Sequence, residues 1–153
     1  MTNNKNNYLI KKSIIVKAVP SQIWKAMTNG EWTKKYMYGY EVKSDWKVGS
    51  SILWILKKNG KDYSRVGKVL EVVPNKFLKI SDFNPNNGEE DIESNYAVIT
   101  YELLALTNGE TELCVTDDYA NNEKKYKESE QFWNNVLPKL KELLEVRKTL
   151  KDI

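Results

Sequence analysis

The stretch QFWNNVLPKLKELLE, residues 131–145, carries a helical apolar stripe with Pro138 in its middle. Phe132, Trp133, Val136, Leu137, Leu140, Leu143 and Leu144 fall on one broad face, which keeps its phase across the proline. A helix that ended at Pro138 would lose that phase. An interior proline removes one backbone hydrogen bond and crowds the carbonyl of residue 134, at about 3 kcal/mol. Full burial of one large apolar side chain returns about 1.5–3 kcal/mol, so two or three of them beyond the defect outweigh it. The pattern predicts a long helix that bends at Pro138 and continues. Such a helix needs an apolar surface to lie on.

The preceding chain supplies one. Residues 8–18 are rich in β-branched side chains, with Ile10, Ile14 and Val16 on one parity, and read as a strand. Pro20 suits the first turn of a short helix carrying Ile23, Trp24 and Met27, closed by Asn29-Gly30. A second short helix follows, with Trp32 and Tyr36 on one face and Gly39 as its stop. Asn59-Gly60 and Asn108-Gly109 each sit between alternating apolar runs, the strongest local signal for a hairpin. Pro74-Asn75 marks a third turn, and residues 83–94 form a loop rich in breakers. The reading is about seven strands, antiparallel because their connections are too short for crossovers. The expected fold is α+β: a curved antiparallel sheet wrapped around the long C-terminal helix, with an opening under the helix's leading half.

A chain of 153 residues with 41% hydrophobic side chains fits one domain, taken as residues 8–150 after a polar tail at residues 1–7. That tail has no apolar stretch of the signal-peptide kind, and a cytoplasmic location follows by default. The longest dense apolar run, residues 52–56, is strand-sized, so no membrane partner is expected. The +3 charge is spread among acidic neighbours, unlike the clustered basic face that nucleic acid requires. Lys57-Lys58 and Lys124-Lys125 read as solvated charge at a hairpin tip and a helix start. With no His and only Cys114, the usual zinc sites, the Ser-His-Asp triad and the Cys-His pair are excluded, and no cofactor or metal is expected. Cys114 itself, on the parity opposite to Leu113 and Val115, reads as an inert thiol on the outer face.

Trp54 shares parity with Ile52 and Leu56, and Tyr101 with Ile99 and Leu103, so both are expected to face the helix. Together with Trp32, Tyr36, Phe132, Trp133 and Val136 they form the candidate lining of a ligand cavity. Asp117 has the parity of Leu113 and Val115. Two readings of it stand open. At a strand end beside Asp118 it is a solvated turn former; turned inward it is a desolvated carboxylate of raised pKa at the cavity rim. Leu53 and Ile55 lie on the parity opposite to Trp54 and mark a face through which a homodimer would form.

Four stretches, in order, resemble the activator of Hsp90 ATPase homologue 1-like family of the START-like (SRPBCC) superfamily: VPSQIWKAMTNGEWTKKYMYG, GKVLEVVPNKFLKI, ITYELLALTNGETELCVT and FWNNVLPKLKELLE. The resemblance covers roughly residues 8–147. It implies a helix-grip fold and a cavity for a small hydrophobic or aromatic ligand. The family commonly has Trp at the position of Tyr36 and often His at that of Asp117, so a site depending on either is altered here. Some superfamily members are cyclases or hydrolases on aromatic or polyketide-type substrates; by that analogy Asp117 would act as general base, with Tyr101 or Tyr36 as hydrogen-bond donor. An Hsp90-associated interaction module is the third implication, one for which co-chaperones use an additional N-terminal domain.

Overall fold

The computed structural model describes residues 8–152, with side chains through residue 146. The elements run β1 (Ile10–Val16), α1 (Pro20–Thr28), α2 (Gly30–Tyr36), β2 (Glu41–Lys43), β3 (Ser51–Lys58), β4 (Lys61–Val73), β5 (Phe77–Asp82), β6 (Ala97–Ala105), β7 (Thr111–Asp117) and α3 (Glu123–Asp152). All strands belong to one antiparallel sheet in the order β1-β7-β6-β5-β4-β3-β2. This is the expected helix-grip arrangement of a curved sheet, two short helices after the first strand and a long terminal helix. The expectation of a tail at residues 1–7 lies outside the described residues.

The turns follow from their residues. Asn59 and Gly60, at φ 53° and 76°, both take the left-handed conformation that a tight β3–β4 hairpin demands. At Pro74-Asn75 the proline sets the first corner and Asn75, at φ 68°, the second, closed by Lys76 N–H on Val73 C=O at 2.9 Å. β4 is the longest strand, and it bends. Its register against β5 shifts between Val69 and Glu71, and at Gly67 any Cβ would lie 1.8 Å from the carbonyl oxygen of Ser81. Only glycine permits that close crossing of strands, and bulge and crossing together curl the sheet toward the helix.

Strict alternation on β6 and β7 turns Ile99, Tyr101, Leu103, Leu113 and Val115 inward. Against them lie Trp133, Val136, Leu137, Leu140 and Leu144 of α3, each at most 6% exposed. The helix passes through Pro138 unbroken. Burial of side chains on both sides of the proline offsets its lost hydrogen bond. Phe132 and Leu143, at the margins of the stripe, are only half-buried.

Both edges of the sheet are capped by helices. On β1, Lys17 N–H donates to Glu145 Oε2 (2.9 Å) and Ile15 C=O accepts from Lys141 Nζ (2.8 Å), both from α3. On β2, Val42 N–H donates to Thr33 Oγ1 (3.1 Å), which in turn donates to Tyr40 C=O (2.9 Å). Thr33, on α2, is fully buried. The buried face of α2 is therefore Thr33 and Tyr36 rather than the expected pair Trp32 and Tyr36, because the β2 edge needs a hydroxyl more than the core needs a second indole. Trp32 remains half-buried, with the Lys35 ammonium 5.6 Å from its ring centre.

Candidate functional site

Between the sheet and the leading half of α3 lies a cleft of about 330 Å³. Its sheet wall is built strand by strand. Trp54 on β3 stands directly opposite Arg65 on β4, so both side chains project from the same face. Ile80 and Asp82 follow on β5, Ile99 and Tyr101 on β6, and Asp117, paired with Ile99, on β7. Ser129, Phe132 and Trp133 of α3 form the other wall. Met37, Tyr40, Asn84, Asn87, Tyr119 and Glu128 complete the rim.

Trp133 is the pillar of the site. Its ring receives Phe132 edge-on at 5.1 Å and meets Tyr101 edge-on at 6.0 Å. Its Nε1–H donates to Asp117 Oδ2 at 2.9 Å. Ser129 Oγ, one helical turn earlier, reaches the same oxygen at 3.3 Å, and Tyr119 N–H donates to Oδ1 at 2.9 Å. Asp117 is 6% exposed, so the solvated-turn reading is overturned and the inward one holds. The cause is local: strand alternation points Asp117 at α3, where two side-chain donors wait for it. Burial pushes its carboxyl pKa up; the Trp133 and Tyr119 hydrogen bonds pull it back, while Asp82 adds to the rise.

Arg65 grips Asp82 with a two-point fork, Nε to Oδ1 at 3.1 Å and Nη2 to Oδ2 at 2.5 Å. Burial opposes the Arg65 charge, but the hydrogen bond and charge of Asp82 outweigh it and hold the guanidinium protonated. The Tyr101 hydroxyl makes no hydrogen bond among the described residues, and no buried polar side-chain atom there is left unsatisfied, so this hydroxyl reaches the open space. Burial raises its pKa well above the ordinary phenol value, and it stays a neutral donor and acceptor.

Of the residues named from sequence, Trp54, Tyr101, Asp117, Phe132 and Trp133 meet at this cleft. Tyr36 and Val136 sit deeper, around a separate void of about 20 Å³, room for about one water molecule. The Tyr36 hydroxyl is committed to the Ala26 carbonyl at 2.7 Å. Trp32 lines neither space. Sequence reading missed Arg65, Asp82 and Ser129. Inward parity from Trp54 across the Asn59-Gly60 hairpin would have found Arg65, whereas Asp82 and Ser129 give no signal of their own. Lys125 is also not simply solvated: it binds Glu89 at 3.3 Å and lies 5.3 Å from the Tyr119 ring centre. Lys57 and Lys58 are exposed as expected, and Cys114 is half-buried.

Among the described residues no group of His, Cys, Asp and Glu side chains is placed to hold a metal ion, and no helix is long and apolar enough to cross a membrane.

The sequence matches the family described as Activator of Hsp90 ATPase homolog 1-like protein over residues 17–145. No curated protein matches it. Among solved structures, ChR145 from Cytophaga hutchinsonii is similar at 37% identity and TM-score 0.78, covering 92% of this chain and 96% of that one. The Aha1 dimer from Colwellia psychrerythraea has 23% identity and TM-score 0.70, covering 90% and 96%. CalU16 from Micromonospora echinospora has 19% identity and TM-score 0.64, covering 86% and 73%. The last two show likeness of fold.

Proposed function

The chain belongs to the activator of Hsp90 ATPase homolog 1-like family, and we propose that this member holds a small, largely hydrophobic or aromatic molecule between sheet and α3. The observation that carries the reading is the cleft itself. At about 330 Å³ it falls within the usual range of small-molecule sites, roughly 300–1,000 Å³, and it combines aromatic walls with a few convergent polar groups. Trp54, Tyr101 and Phe132 supply apolar contact, while the Tyr101 hydroxyl and the guanidinium edge not used by Asp82 orient the ligand.

The same geometry argues against Asp117 as a general base. Three of its four acceptor sites are taken by Trp133, Ser129 and Tyr119, an arrangement that suits a fixed negative charge better than a base that must move a proton. A homodimer, the state of the Colwellia protein, is carried over as the proposed assembly. It would use the outer sheet face, where Leu53 is 37% exposed.

Native mass spectrometry of the purified protein tests both statements. A retained or added aromatic compound should appear as a discrete mass increment, at twice the chain mass. If no compound of an aromatic panel adds mass or perturbs the Trp54 indole signal, the ligand-binding reading fails. A species at the mass of a single chain overturns the dimer.

A further inference from the structure

The cleft contains a carboxylate with no cationic partner at bonding distance. Asp117 is held by three donors, and all three are neutral: an indole N–H, a hydroxyl and a backbone amide. Burying an ionised carboxylate on neutral donors alone leaves much of its desolvation cost uncompensated. Arg65 of β4 is a cation within electrostatic reach, but its hydrogen bonds go to Asp82 and none to Asp117. Asp82 on β5 is itself acidic and taken up by Arg65 of β4. Tyr101 on β6 stays a neutral phenol, Glu128 on α3 adds a further acid at the rim, and on β1 the residue opposite Asp117 is Ile10. Nearby Lys125 is engaged by Glu89 and the Tyr119 ring.

Among the described residues lining the cleft, then, Arg65 is the sole cation against three acids: Asp82, Asp117 and Glu128. Tyr40, Trp54, Tyr101 and Phe132 surround this negative surplus. Aromatic faces carry negative electrostatic potential and attract cations; a net acidic lining does the same and repels anions.

We propose that the ligand of this cleft is an organic cation, an amine or ammonium group on an aromatic or aliphatic body, with Asp117 as its counter-ion. The inference rests on the ligand-binding reading above and narrows it to one charge class. Burial raises the Asp117 pKa in the empty cleft, and a cation bound beside it lowers that pKa again. Cation affinity therefore falls as pH drops through the Asp117 pKa, whereas affinity for an uncharged analogue does not follow it.

Three probes of equal bulk test this on the full chain: 2-naphthylmethylammonium, 2-naphthylmethanol and 2-naphthoate, each titrated while the indole N–H signals of Trp54 and Trp133 are followed by NMR. The ammonium probe is expected to bind about tenfold tighter than the alcohol, with the carboxylate weakest. Acidification should erase the ammonium advantage, as should Asp117→Asn, while Glu128→Gln, at an exposed rim position, lowers it by a smaller factor. If Asp117→Asn does not fold, the pH titration of the unmodified protein with Glu128→Gln beside it decides the matter. Equal or tighter binding of the alcohol or the carboxylate overturns the inference and leaves the ligand-binding reading standing. Loss of the preference in Glu128→Gln overturns Asp117 as counter-ion. If no probe moves either indole signal, both readings fall.

Discussion

The two halves of α3 face the same sheet and do different things there. Beyond Pro138, Leu140 and Leu144 are almost wholly buried, and the void nearest them measures about 20 Å³. Before it, Ser129, Phe132 and Trp133 look onto about 330 Å³ and support a carboxylate. The contrast is one of side-chain chemistry on a continuous rod. Branched aliphatic residues interdigitate and close their half; large rings and short polar groups cannot fill the concave sheet and leave theirs open. Close packing and the proposed recognition thus fall at opposite ends of one element.

Several substitutions separate the ends. Leu140→Ala should have the largest effect, lowering unfolding free energy by about 2–5 kcal/mol in urea titration while leaving probe affinity in the folded fraction nearly unchanged. A large loss of affinity would mean that the halves are coupled. Trp133→Phe should come next. It removes a donor from a buried carboxylate, costing about 1–3 kcal/mol, and raises the Asp117 pKa further, which NMR titration of the side-chain carboxyl reads directly. An unchanged pKa would show that the hydrogen bond contributes nothing to the ionised state. Phe132→Ala, at a half-buried position, should cost less stability than Leu140→Ala yet weaken aromatic probes severalfold.

The smallest expected effect lies in the pH dependence, where the ends have opposite signs. Asp117 has a folded pKa above its ordinary 3.8, so its contribution to stability is full below that value and is lost as pH rises through the folded pKa. Glu145 has a folded pKa below its ordinary 4.5: burial pushes it up, but Lys141 and the Lys17 amide more than reverse this. Its contribution is present above 4.5 and is lost as pH falls through the folded value. Urea titrations from acid to neutral pH should therefore show Asp117→Asn flattening the upper limb and Glu145→Gln the lower. A common sign for both would remove the electrostatic part of the comparison.

Much of the architecture was legible because it is written in local chemistry. Asn-Gly pairs demand positive φ, alternation selects a face, and a helical stripe in constant phase across Pro138 announces that tertiary burial overrides a local defect. β2 was not legible as a particular segment: three residues, Glu41–Lys43, carry too short a period to register, and the strand exists because β3 and Thr33 hold it from either side. The aromatic half of the site followed from parity. The polar half did not, since Asp82 and Ser129 acquire meaning only from Arg65 and Asp117, partners that are distant in sequence and adjacent only after the sheet curls at Gly67. For Asp117 itself, local statistics of strand ends favoured water, and the long-range donor Trp133 decided otherwise.

The buttoned margins of the sheet bear on how this protein tolerates crowding. Amyloid grows by recruiting loose strands onto bare peptide groups, and here Thr33 occupies that docking rail at one end and Lys141 with Glu145 at the other. At these positions a second copy finds the backbone groups already engaged, which disfavours strand addition there.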